Sequence, residues 1–171
     1  MAFSTLVQAG ALVDLCGKTA PVVCSGVFLA PIPTVANIVS QKSVGSLPLL
    51  PYSSMVVNAF IWTTYGILNA ESKIWSPNAF GLLMGMYYCA QYQKYLPKHA
   101  KNLPGTLSQH ARYGSLLMMF TLLLATGLNK SLASLLIGKL GVIVCIVLFA
   151  SPLAALKEVI ATRNAKSIPL P

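Results

Sequence analysis

The feature that most constrains this chain is a series of five apolar blocks, each near the length of a membrane crossing and separated by short polar connections. They run from Thr19 to Val39, Leu47 to Leu68, Pro77 to Leu96, Tyr113 to Leu128 and Leu136 to Ile160. A helix crossing the hydrocarbon core needs about 20 mostly apolar residues. The fourth block is short and reads as a connecting span. Backbone in lipid must satisfy its own hydrogen bonds, which favours helices at these positions. Charged residues are only 9% of the chain, against about 25% in an average soluble domain. The expected fold class is therefore an all-α membrane protein.

The formal charge of +9 comes from twelve Lys and Arg against three acids. The cations stand singly in the connections, with no basic face interleaved with aromatics, so nucleic acid is not an expected partner. Cations gather on the cytoplasmic side of membrane proteins. With the N-terminus outside, Lys42, Lys94, Lys98, Lys101, Arg112, Lys157, Arg163 and Lys166 fall inside, and Lys18, Lys73, Lys130 and Lys139 outside. That asymmetry favours an external N-terminal segment (1–18); its apolar start lacks a basic n-region and is interrupted by Asp14 and Lys18, so no cleaved signal peptide is expected. Spans fill 19–96, a basic cytoplasmic loop 97–112, a linker span 113–128, a further span 136–160 and a cytoplasmic tail 161–171.

Catalysis and metal binding find no support. The carboxylates Asp14, Glu71 and Glu158 are dispersed, and His99 and His110 belong to the basic loop. No acid–base pair or triad can be assembled, so no enzyme is expected and no cofactor or metal is implied. The four cysteines Cys16, Cys24, Cys89 and Cys145 lie far apart, without metal-ligand spacing. No ionisable group sits in the middle of a span, whereas ion-coupled carriers keep such groups inside. Any transport is thus expected to be uncoupled.

Two helical faces carry polarity. Along the second block, Pro51, Met55, Asn58, Trp62 and Tyr65 recur at helical spacing. A neutral polyol needs partners for its hydroxyls, and an amide both donates and accepts. Asn58 can instead tie two helices together, and both readings stand. Along the third block, Asn78, Gly81, Gly85, Tyr88 and Tyr92 share a face, with the glycines at close-packing spacing. If that helix begins at Ser76-Pro77, Asn78 is near the outer surface. If it begins near Ser72, Pro77 is a kink and Asn78 lies deeper.

The chain also matches itself. Shifted by 121 residues, Val23 to Leu49 lies on Val144 to Leu170 without a gap. Cys24 meets Cys145, Phe28 meets Phe149, Pro31 meets Pro152 and Pro48 meets Pro169, with Lys42 opposite Arg163. On the topology above the two copies run in the same direction, a parallel repeat of the kind that builds transporters around a central path.

With these features in view, the chain resembles the SWEET family of sugar transporters, within the wider PQ-loop group. The resemblance is carried by Leu29-Ala30-Pro31-Ile32-Pro33-Thr34, Lys42-Ser43, Leu50-Pro51-Tyr52, Asn58, Tyr65-Gly66, Asn78, Ala150-Ser151-Pro152-Leu153 and Ser167-Ile168-Pro169. It implies a three-helix bundle, a linker span and the first helix of a second bundle, with a sixth and seventh span expected beyond Pro171. The chain then reads as a fragment, an incomplete gene model or a short form that assembles with another copy or a complementary chain.

The implied function is facilitated passage of mono- or disaccharides, by alternating access, across a membrane, most naturally the plasma membrane. Sugar and bilayer are the implied partners, with a homo- or hetero-oligomer. Asn58, Trp62, Asn78, Cys24 and Val27 are the implied substrate residues, although packing is the simpler reading of Cys24 and Val27. Tyr65, Gly66 and Tyr88 are assigned to a gate; an interfacial anchor is the other reading of Tyr65. Pro31, Pro51, Pro152 and Pro169 are the implied hinges, Pro51 and Pro169 being open also to a helix-start role. An amino-acid carrier, which a charged pocket residue would favour, and a non-transporting assembly subunit are the alternatives.

Overall fold

The computed structural model describes residues 2–45, 47–97 and 107–162, with side chains placed for 10, 12–45, 47–97 and 108–146. Among these there is no strand. Six helical segments follow one another: α1 (Ala2–Leu29), α2 (Ile32–Gln41), α3 (Leu50–Leu68), α4 (Ser72–Lys94), α5 (Leu107–Gly127) and α6 (Lys130–Thr162). α4 lies between α1 and α3, and the opposite side of α3 meets both α5 and α6. The helices overrun the apolar blocks. α5 reaches back to Leu107 and α6 starts at Lys130, because hydropathy marks the apolar stretch and not the polar turns that finish a helix.

Prolines set the first break. Pro31 and Pro33 supply no N–H, so the carbonyls of Val27 and Leu29 lose the donor four residues on. Ala30 N–H takes the Val27 carbonyl at 3.2 Å, and Val35 N–H restarts the ladder on the Pro31 carbonyl at 2.9 Å. α1 and α2 are thus one bent path. Over Leu12–Gln41 this path is long and apolar enough to cross a membrane, the one stretch among the described residues that passes on length and composition, and only 17% of its most apolar window is buried. Asn58 of α3 and Asn78 of α4 are buried, as are Tyr52, Tyr88 and Tyr92.

The other joints follow local chemistry. α2 ends at Lys42 in the left-handed region (φ 51°). α3 opens with Pro51 in its first turn, where a missing N–H costs nothing. Between α3 and α4, Glu71 N–H reaches the Gly66 carbonyl at 2.8 Å and Ala70 N–H the Ile67 carbonyl at 3.1 Å. This is a Schellman closure, with an alanine at φ 56° where glycine is usual.

Packing falls into two cores. One joins α2, the α2–α3 connection, α3 and α4 through Val35, Ile38, Leu49, Tyr52, Tyr88 and Tyr92. The other joins α3, α5 and α6 through Val57, Ile61 and Ile137. Glycines bring the helices close: a Cβ on Gly81 would meet the Phe28 ring of α1 at 2.5 Å, and one on Gly85 would meet Val56 of α3 at 2.9 Å. The expected close-packing pair therefore serves two different neighbours.

Candidate functional site

On α3, residues 58, 62, 65 and 69 recur along one face, and that face looks at α6. Asn58 is 9% exposed. Its Oδ1 accepts the Cys145 thiol at 3.1 Å, and Trp62 Nε1–H donates to the same sulfur at 3.4 Å. The thiol is donor to the amide and acceptor from the indole, so three polar groups are satisfied inside an apolar interface.

Glycines on α6 make room for the aromatics. A Cβ on Gly138 would lie 3.1 Å from the Tyr65 ring, and one on Gly141 would lie 3.0 Å from the Trp62 indole. The two rings meet edge-on at 5.5 Å and 77°. They line an open cleft of ≈ 800 Å³ with Ser131, Ser134, Gly138 and Lys139. One turn beyond Tyr65, Asn69 Oδ1 accepts Ser134 Oγ–H at 3.0 Å. Aromatic faces and hydroxyls together suit the C–H faces and hydroxyls of a small polyol.

Lys139, which the sequence reading counts among the outer cations at the start of the 136–160 span, lines this cleft. It stands nine residues into α6, about 14 Å along the helix from Lys130 at 1.5 Å per residue. Cys145 is the other residue the sequence reading left to packing. The 121-residue offset that pairs it with Cys24 was the signal for it.

A second, smaller pocket of ≈ 290 Å³ lies between α1 and α4, lined by Gly17, Pro21, Cys24, Lys73, Pro77 and Asn78 among others. α4 begins at Ser72, so Pro77 is inside the helix. Asn78 Nδ2 donates to the Ile74 carbonyl at 2.8 Å and is buried with its helix. The expected substrate residues are thus divided: Trp62 lines the α3–α6 cleft, Asn58 is buried and tied to it through Cys145, and Cys24 and Asn78 line the α1–α4 pocket. Val27 lines neither and is 58% exposed.

The expected gate and hinge residues have distinct settings. Tyr65 packs on Gly138. Gly66 is a contact point, since a Cβ there would meet the Trp75 amide nitrogen at 2.6 Å. Tyr88 is fully buried, its phenol donating to the Phe28 carbonyl at 2.9 Å. Pro31 stands at the α1–α2 break and Pro51 in the first turn of α3. α6 continues through Pro152, whose side chain lies outside the described residues, as does Pro169 altogether.

These features define a helical membrane protein with a polar aromatic cleft between spans. Comparison with known proteins sharpens the class. Residues 14–100 match the family described as "Sugar efflux transporter for intercellular exchange", and the chain belongs to it. The family is one of sugar transporters and not of enzymes.

The bidirectional sugar transporter SWEET12 of Oryza sativa subsp. japonica is 28% identical over 93% of this chain and 53% of its own length. The sugar transporter SWEET1 of Dictyostelium discoideum is 25% identical over 82% of this chain and 64% of its own. The bidirectional sugar transporter SWEET9 of Arabidopsis thaliana is 30% identical over 91% and 60%. The chain therefore spans about half to two thirds of the length of the curated relatives it matches. Among solved structures, a eukaryotic SWEET transporter superposes with a TM-score of 0.72 at 22% identity, covering 92% of this chain and 76% of that one. The fold is that of the family.

Proposed function

We propose that this chain contributes to facilitated, uncoupled passage of mono- or disaccharides across a membrane, the plasma membrane in the simplest case, with the N-terminus outside. The observation that carries the reading is the cleft lined by Trp62, Tyr65, Ser131 and Ser134 and by no carboxylate, with Trp62 tied through Cys145 to the buried Asn58. An amide and an indole are the groups a neutral sugar uses, and the rings of Trp62 and Tyr65 suit its C–H faces. Passage proceeds by alternating access, with the bend at Pro31 as the point where the first span changes direction.

The proposed working unit contains a second copy or a complementary chain that closes the path. The test is uptake of labelled glucose and sucrose into proteoliposomes. Uptake above empty vesicles that Trp62→Ala reduces at least ten-fold supports the proposal. Equal flux in the variant refutes the site, and no flux from the chain alone favours an assembly subunit.

Lys139 favours a second reading, carriage of an amino acid whose carboxylate the ammonium would meet. On that reading an excess of neutral amino acids blocks uptake and Lys139→Gln abolishes the block. On the sugar reading neither has an effect.

A further inference from the structure

α2 is a ten-residue arm between two interruptions. At its start Pro31 and Pro33 remove two donors from the helical ladder. At its end the chain turns through Lys42 at φ 51° and Gly45 at φ 54° before reaching Leu47-Pro48. A helix this short is marginal alone, so its orientation is set by what it packs against.

Two tyrosines of α4, one turn apart, bracket the arm. Tyr88 Oη–H donates to the Phe28 carbonyl, just before the break, at 2.9 Å. Tyr92 Oη–H donates to the Leu47 carbonyl, just beyond the arm, at 2.7 Å. Both side chains are essentially fully buried, and between the two bonds Val35 and Ile38 of α2 are buried in the same cluster. Tyr52 of α3 packs on both rings at 6.0 Å. The phenols are thus anchored on the α3–α4 side and reach across to backbone on either side of the arm.

We propose that Tyr88 and Tyr92 are positioning residues forming a paired clamp, which fixes α2 against α4 in one orientation and must release for the arm to swing at Pro31. This rests on the alternating-access reading and deepens it. The bonds suit the task because each carbonyl sits where the ordinary backbone ladder is interrupted. A phenyl ring fills the same space but leaves the carbonyl without its donor, so Tyr→Phe isolates the clamp from the packing.

The test is hydrogen–deuterium exchange of the whole chain in nanodiscs, comparing Tyr88→Phe, Tyr92→Phe, the double variant and Tyr113→Phe, an exposed control on α5. Loss of one buried hydrogen bond predicts exchange over residues 32–41 about three- to ten-fold faster. The double variant should exceed either single, with α3 and α5 unchanged. Exchange over 32–41 within two-fold of the parent overturns the proposal, as does equal acceleration in α3 and α5.

In parallel, the maximal rate of sugar uptake should change in the Tyr88 and Tyr92 variants with half-saturation unchanged. A change confined to half-saturation overturns the clamp. Absent uptake in the parent chain counts against the transport reading alone, because the exchange result decides the clamp independently.

Discussion

Replacing Gly141 by alanine tests the aromatic cleft at its tightest point. The added Cβ would lie 3.0 Å from two carbons of the Trp62 indole and 3.3 Å from Ile61 Cγ2. Carbon atoms pack best at about 3.5–4.0 Å, so the indole must retreat by about half an ångström or more. Ile61, fully buried in the α3–α5–α6 core, blocks one route of relief. The Trp62–Cys145 contact, 3.4 Å, is lengthened by such a shift. Overpacking of this kind costs about 1–3 kcal/mol.

The chain has two tryptophans, so a Trp75→Phe background reports on Trp62 alone. A thiol in contact quenches indole emission. Gly141→Ala should therefore brighten the emission and lower the midpoint of thermal unfolding by roughly 2–12 °C, taking about 2–4 °C per kcal/mol for a chain of this size. Unchanged emission together with an unchanged midpoint would refute the packing of α6 on this face.

Other substitutions probe the joints. Gly66→Ala drives a methyl into the Trp75 backbone at 2.6 Å, where no side chain can yield, and should cost about 2–3 kcal/mol, read as loss of monodisperse protein in detergent. Ala70→Gly relieves the left-handed φ of 56°. Set against the entropy glycine adds to the unfolded chain, it should stabilise by about 0.5–1 kcal/mol; a lower melting midpoint would contradict the Schellman closure.

The helices and the bend at Pro31 were legible because apolar length and proline chemistry act locally. Helix ends were less so: polar turns such as Lys130 to Ser134 extend α6 without any hydropathic mark. The grouping of the site was least legible. The spacing of Asn58, Trp62 and Tyr65 says that they share a face but not which helix covers it. Gly81 and Gly85 sit on one stripe yet meet Phe28 of α1 and Val56 of α3. Asn78 joins Cys24 between α1 and α4 for the same reason: partners are chosen by how whole helices stack, and α4 is inserted between α1 and α3.

The central claim is that the Asn58–Cys145–Trp62 group faces the sugar path. Its most direct measurement is the rate at which a small, membrane-permeant maleimide labels Cys145 in a chain whose other three cysteines are replaced by alanine, with and without saturating sugar. Bound sugar should slow labelling several-fold, and Asn58→Leu should remove the protection. Labelling at the same rate with and without sugar would contradict the claim.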